Sequence, residues 1–398
     1  MEVKAEPRLV AGFRFAAVAA GLKTDATRKD LGLIVADAPA AAAAIFTTNQ
    51  VKAAPVILSQ RRLRSGQLRA VAANSGSANC FTGKAGMKLA VGSCAAVASE
   101  LGCAEELVVP CSTGVIGHLY DLEKYRAGVR EACAALSTEG LGAFATAIMT
   151  TDTKPKLAST TLRMGGATVT IAGTAKGAGM IAPNLATMLA FIVTDAALPA
   201  PALRRALANA APASFNAITV DGDMSTNDTL MLLASGAAAN RKPAARELGA
   251  FEAAVGEVAE SLARQLVYDG EGASKFVTVE VRGARSTADA ARAARQIANS
   301  PLVKTAFFGN DPNVGRITAA AGACGVRFDP DRIELWVDRI RIAARGMILT
   351  QALPAAAQAM RQREFSVRLD LKQGSARFSM MTCDLSYDYV KINAEYTT

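Results

Sequence analysis

The sequence predicts an α/β (or α+β) layered fold in which sheets are covered by helices. Three observations lead there. Short β-like apolar runs are bounded by Gly, Asn and Ser, Ala-rich stretches of helical length and period lie between them, and no Pro/Ser/Gly-rich linker is long enough to separate two lobes. The 398 residues suffice for a large core, and 51% hydrophobic against 20% charged residues is the composition of a globular chain.

In chain order, β-like runs are expected at Leu31 to Val35, Val56 to Leu58 and Leu68 to Ala73. Met87 to Leu101 and Leu122 to Leu136 have the length and Ala-rich periodicity of helices. Strands return at Thr168 to Ala172 and Met188 to Val193. Ala202 to Ala211 and Glu247 to Leu266 read as helices, the first with Pro201 near its start, where a missing N–H costs nothing. Phe276 to Val281, Ile333 to Trp336 and Ser366 to Leu371 complete the strands, and no repeat of fixed period is evident.

Composition also excludes. The apolar run Met188 to Val193 meets Asp195 far short of the roughly 18 to 20 residues that cross a bilayer, and the start, MEVKAEPRLV, lacks the apolar stretch of a secretory signal. A cytoplasmic protein with no membrane partner is expected. Seven cysteines, Cys80, Cys94, Cys103, Cys111, Cys133, Cys324 and Cys383, form an odd set without C-x-x-C spacing, so they read mostly as small buried hydrophobes. The net charge of +9 includes a cluster at Arg61, Arg62, Arg64 and Arg69. With 5% aromatic residues and no nucleic-acid-binding motif, the cluster reads as a solvated basic face, useful for attracting anionic metabolites.

The chain has a single histidine, His118, placed after a Gly-rich loop and read as a surface residue. Zinc motifs that need two histidines are excluded, Ser-His-Asp or Cys-His machinery would have to use His118, and with His118 read as a surface residue the expected catalytic base is a carboxylate, a lysine or an amine. The most distinctive stretch is KGAGMIAPNLATMLAFIVTDA, Lys176 to Ala196. Gly177, Gly179 and Ala182 fit a loose dinucleotide fingerprint, but Pro183 and Asn184 lead into a β-like run instead of a helix, so no dinucleotide cofactor is expected. Thr187 suits other chemistry. It follows the small Ala186 and opens a buried strand, and cleavage of the Ala186–Thr187 bond would set a new α-amine, titrating near about pH 8, beside its own hydroxyl.

The same stretch resembles the self-cleavage signature of the ornithine acetyltransferase family. The resemblance extends through FTTNQVKAAPV (Phe46 to Val56), NSGSANCFTG (Asn74 to Gly83), CSTGVIG (Cys111 to Gly117) and MTTDTKPK (Met149 to Lys156). Beyond Thr187 it continues in SFNAITVDGDMSTNDT (Ser214 to Thr229), DGEGASK (Asp269 to Lys275), SPLVKTAFFGNDPNVGRI (Ser300 to Ile317) and YVKINAEYTT (Tyr389 to Thr398). Two departures, NSGSANC in place of an NSGNANA-like run and Val314 where tryptophan is common, look like packing variation.

The resemblance implies an αββα-type sandwich of the kind shared with self-cleaving aminopeptidases. It is cut into an α chain of residues 1–186 and a β chain of residues 187–398, intertwined and commonly assembled as an α2β2 heterotetramer. It implies Thr187 as nucleophile, Thr113 and Gly114 as oxyanion hole, and Thr150, Lys176, Thr187, Glu271, Asn393 and Thr398 as substrate contacts. Lys176 and Glu271 equally suit surface charges when read alone. The implied reaction is ping-pong acetyl transfer from N-acetylornithine to glutamate in arginine biosynthesis, with acetyl-CoA as second donor if the enzyme is bifunctional and with no metal. The rivals are an N-terminal-nucleophile aminopeptidase or amidase, which sends water to the acyl-enzyme, and a basic binding protein in which Thr187 is only a strand residue.

Overall fold

A computed structural model describes residues 3–182 and 188–395. The larger sheet is built from β1 (Phe13–Val18), β2 (Leu31–Phe46), β3 (Gln67–Ser77), β4 (Val108–Val115), β5 (Lys156–Met164), β6 (Ala167–Lys176), β7 (Leu189–Thr194) and β8 (Thr229–Ala234). Helices α1 (Ala54–Arg62), α2 (Gly83–Leu101), α3 (Leu122–Ala134), α4 (Leu141–Ala147), α5 (Ala200–Ala210) and α6 (Ala245–Tyr268) are interposed. The strand order is β4-β3-β2-β8-β7-β6-β5, with β1 paired to β2.

This one sheet makes both inner layers of a sandwich. Strand β2 breaks register between Val35 and Ala40, where Asp37, Ala38 and Pro39 are exposed, and passes from pairing with β3 to pairing with β8. A bend of this kind turns a strand from one layer into the next. Side chains on β1 to β4 such as Leu31, Leu33, Ala70 and Val108 pack on α2 and α3. Their opposite faces, Ile34, Val71 and Val109 among them, meet Leu189, Phe191, Val193 and Met231 from the other half of the sheet. Ile171, Ile192 and Leu232 then pack outward on α5 and α6. The layers therefore run helix, sheet, sheet, helix, as the family resemblance implies.

A second sheet follows, ordered β12-β11-β10-β13-β9-β14. Its elements are β9 (Phe276–Ala284), α7 (Thr287–Asn299), α8 (Pro301–Phe308), α9 (Val314–Gly322), β10 (Glu334–Val337), β11 (Ile340–Ala344), β12 (Met347–Ile348), α10 (Leu353–Met360), β13 (Glu364–Asp370), β14 (Ala376–Cys383) and α11 (Tyr387–Glu395). It has its own core, in which Val279, Val281 and Val367 meet Ile297, Phe307 and Ile317. Ser286 and Ser300 cap α7 and α8 by accepting first-turn N–H groups.

Two expectations need correction. Val56 to Leu58 is helical, not extended, because Pro55 starts α1 at a position where its fixed φ and absent N–H favour a helix. The arginine cluster is not one solvated face: Arg61 and Arg64 are exposed, whereas Arg62 pairs with Glu105 and donates to Val108 O, and Arg69 is half-buried. His118 is exposed, and the seven cysteines are free thiols, with Cys103 and Cys133 half-buried and the rest buried. Among the described residues no helix is long and apolar enough to cross a membrane, and no group of His, Cys, Asp or Glu is arranged to hold a metal ion.

Candidate active site

A pocket with about 650 Å³ of space, partly open to solvent, gathers residues from both halves of the bent sheet. Its lining includes Thr113, Gly114, Thr150, Lys176, Glu271 and Asn393, six of the residues singled out in the sequence. Ala186, Thr187 and Thr398 lie outside the described residues.

Lys176 ends β6 and is buried, 3% exposed. Its Nζ donates to Thr113 Oγ1 at 3.0 Å and to Thr150 Oγ1 at 2.8 Å. A hydroxyl that accepts from an ammonium keeps its own hydrogen for another acceptor, so Thr113 is free to donate towards the pocket. Burial pulls the Lys176 ammonium below the usual lysine range, opposed chiefly by the Asp152 carboxylate. Among the described residues no carboxylate stands within ion-pair distance of Lys176.

Asp152 is the residue behind this cation. Its Oδ1 accepts from Lys156 Nζ and from Gly177 N, both at 2.6 Å, and its Oδ2 accepts from Thr150 N at 3.1 Å. Burial would raise its pKa, but the Lys176 and Lys156 charges and these hydrogen bonds outweigh it and hold the carboxyl at about 2. Lys156 in turn pairs with Asp269 at 2.6 Å, closing a buried network of alternating charge. The carboxylate thus orients the loop carrying Thr150 and the turn after β6 together.

Gly114 follows Thr113 near the end of β4, where β3 and β4 lose register around Gly76 and Ser77. It has φ +124°, and an added Cβ would lie 2.4 Å from Gly76 C. Only glycine fits this approach of two backbones. Asn227 secures the same place, donating to Ala78 O at 2.7 Å and Ser112 O at 2.8 Å. Ser112 donates to Asn74 Oδ1 at 2.6 Å, linking the two strands below the loop.

On the other wall, Glu271 is 8% exposed and follows α6, its backbone N–H bonded to Ala178 O. Asn393, on α11, donates to its Oε2 at 2.9 Å. Gly179 makes room for this carboxylate, since a Cβ there would come within 2.3 Å of Oε2. Among the described residues no cation is paired with Glu271. The two charges that equally suited the surface when read alone are therefore buried and, among the described residues, without close counter-ions, on one pocket.

Four contributors went unassigned in the sequence: Asp152, Asp221, Asn227 and Asp228. Each sits inside a quoted motif, MTTDTKPK or SFNAITVDGDMSTNDT, and that membership was the available signal. Asp228 is fully buried, and its Oδ1 accepts from Met188 N at 2.9 Å. Burial pushes it well above the ordinary carboxylate range. Asp221, raised by burial to about 6, accepts from Met180 N and, at 2.8 Å, from Ile181 N.

The model of the ArgJ family matches residues 14–398. Arginine biosynthesis bifunctional protein ArgJ of Geobacter sulfurreducens is 53% identical over 392 residues, covering 98% of this chain and 100% of that protein. The protein of the same description from Symbiobacterium thermophilum is 48% identical over 391 residues, covering 98% of this chain and 97% of its own. Among solved structures, a chain of the argJ protein from Bacillus halodurans is similar at 36% identity with a TM-score of 0.50, over 98% of that chain and 52% of this one.

Proposed function

The chain belongs to the ArgJ family of arginine-biosynthesis enzymes, and we propose that it moves an acetyl group from N2-acetyl-L-ornithine to L-glutamate through Thr187. The observation that carries this reading is charge placement. A buried cation without a close counter-ion, Lys176, and a buried carboxylate without one, Glu271, face one pocket beside Thr113 and Gly114. An N-acetyl amino acid with a side-chain ammonium supplies one charge to each and an acyl carbonyl to the donors between.

The precursor first cuts itself. Thr187 Oγ adds to the Ala186 carbonyl, the amide nitrogen leaves as the Thr187 amine, and water hydrolyses the resulting ester to free the Ala186 carboxylate and the Thr187 hydroxyl. The new amine then serves as base. Thr187 Oγ attacks the acetyl carbon, the Thr113 hydroxyl and Gly114 N–H stabilise the oxyanion, and the proton passes through the amine to departing ornithine. Glutamate repeats the steps in reverse on the acetyl-threonine, leaving as N-acetylglutamate. Acetyl-CoA is the second donor of a bifunctional form, and no bound cofactor or metal takes part.

The similar Bacillus halodurans chain spans 52% of this one. That is close to the share of residues 187–398, which are 212 of 398, and supports a two-chain mature form. The two chains pair further as an α2β2 heterotetramer in the cytoplasm.

Intact mass spectrometry of wild-type and Thr187→Ala protein tests the proposal. Two fragments joined at Ala186–Thr187 in the precursor, absent from the variant, with the later fragment gaining about 42 Da on incubation with N-acetylornithine, are expected. A single uncut chain that takes up no acetyl group refutes it. Acetate released at the same rate with and without glutamate would favour the hydrolase.

A further inference from the structure

The stretch between the 3-10 turn Phe215–Ala217 and β8 touches the chain on both sides of residues 183–187. Upstream, Asp221 accepts from the N–H groups of Met180 and Ile181, while Val220 N and Thr219 Oγ1 donate to Ile181 O at 2.8 and 3.0 Å. Downstream, Asp228 Oδ1 accepts from Met188 N at 2.9 Å and Thr229 N donates to Met188 O at 3.1 Å. Met180 has φ +54°, a conformation that bulky L-residues avoid unless their surroundings impose it. Both oxygens of Asp221 are engaged in holding it and its neighbour. Among the described residues Asp228 uses only Oδ1. Its Oδ2 accepts no hydrogen bond of good geometry from them, although the Ser225 and Thr47 hydroxyls stand close enough to favour its charge.

We infer that Asp221 and Asp228 are the two prongs of a clamp that positions the chain on either side of the Ala186–Thr187 bond. Before cleavage the clamp fixes both approaches to the bond, at Met180 and Ile181 upstream and at Met188 downstream. Afterwards it still holds Met188, the residue that follows the new N-terminus, close to an end that would otherwise fray. The inference rests on the self-cleavage proposed above. Neither carboxylate is asked to transfer a proton; each acts through the N–H groups it holds.

The oxygen count sets the test. Asparagine at 228 retains the one acceptor in use and places its amide where the Ser225 and Thr47 hydroxyls can receive it, whereas asparagine at 221 replaces one of two acceptors in use by a donor facing an N–H. Wild type, Asp228→Asn, Asp228→Ala and Asp221→Asn are made by cell-free translation, and the cleaved fraction is followed in time by intact mass spectrometry, with thermal unfolding as the measure of folding. Asp228→Asn should cleave within about threefold of wild type, and Asp228→Ala and Asp221→Asn at least about tenfold more slowly. A matured Asp228→Ala enzyme should show a lowered kcat, whereas Asp221→Asn should also change KM for N-acetylornithine, because Met180, which Asp221 holds, lines the pocket.

Wild-type rates in Asp221→Asn and Asp228→Ala overturn the clamp. So does an Asp228→Asn protein as slow as Asp228→Ala, which would assign Asp228 to charge instead of position. If Asp228→Ala does not fold, the contrast between the two asparagine variants decides, and equal rates refute the clamp. An uncut wild-type chain removes the self-cleavage reading itself, an outcome distinct from uncut variants beside a cut wild type.

Discussion

Replacing Gly114 with alanine tests the candidate oxyanion hole through its backbone. The new Cβ would stand 2.4 Å from Gly76 C, whereas ordinary contact begins near 3.4 Å, so β4 must move away from β3 by the difference, 1.0 Å. A displacement of about 1 Å at a reacting centre costs on the order of 100-fold in rate, similar to removing one oxyanion donor. Holding alanine at φ +124° costs a further ~1–3 kcal/mol of stability. We therefore expect Gly114→Ala to lower kcat for ornithine release about 100-fold and to slow self-cleavage alongside it. Gly117→Ala is the control, because Gly117 also has positive φ, +82°, but its Cβ would meet nothing within 4 Å. Ornithine and N-acetylglutamate are measured by liquid chromatography and mass spectrometry, with thermal melts of both variants. A Gly114→Ala enzyme that keeps more than about a third of wild-type kcat, or a Gly117→Ala enzyme that falls as far, would refute displacement of the donor as the cause.

Three further outcomes follow from the same pocket. Lys176→Met removes the ammonium bonded to the Thr113 and Thr150 hydroxyls; losing charge-assisted bonds worth about 1.5–3 kcal/mol should lower kcat/KM roughly 10- to 100-fold in steady-state assays. Gly179→Ala drives a Cβ into the Glu271 carboxylate and should raise KM for N-acetylornithine about tenfold, as Glu271→Gln should; an unchanged KM in both would separate Glu271 from the substrate. The Asp152 carboxyl is held at about 2 against an ordinary 3.8, so it contributes stability above pH 3.8 that is lost as pH falls towards 2. The gap of 1.8 corresponds to about 2 kcal/mol. Melting temperature should drop across that window more steeply in wild type than in Asp152→Asn.

Much of the fold was legible because long helices carry a strong period. The expected Glu247 to Leu266 helix is the core of α6, and Met87 to Leu101 is all but the first turn of α2. Strand β2 was legible only at its start, Leu31 to Val35. Its continuation through Ala40 to Ala44 is a run of the best helix-forming residue, and it is extended because small side chains fit between close-packed layers. The six-stranded sheet was read in pieces, with the short β11 and β12 missed and β14 missed too, because the exposed face of β14 carries residues such as Arg377 and Ser379 that dilute the apolar signal. At the site, the quoted motifs named residues that the fold gathers on one pocket, but the isolated sequence favours the surface for any lysine or glutamate. What favours the charge of the buried Lys176 is the Asp152 carboxylate behind it, and what accommodates Glu271 is the missing side chain of Gly179; both are tertiary facts.

The strand order also explains how a chain cut before Thr187 would stay whole. Strands β7 and β8 belong to the later piece and are buried along their full lengths. They sit in the middle of the larger sheet, flanked by β2 on one side and β6 on the other, both from the earlier piece. Two antiparallel ladders, Ala41 to Phe46 on β8 and Ile171 to Lys176 on β7, join the pieces. Pulling them apart would expose four strand edges with unpaired backbone groups, as well as the apolar faces between the layers. Such a cut would therefore remove one covalent bond without releasing either piece. The register puts Lys176 directly opposite Leu189, so the ladder that would hold the pieces together also fixes the pocket's cation against β7.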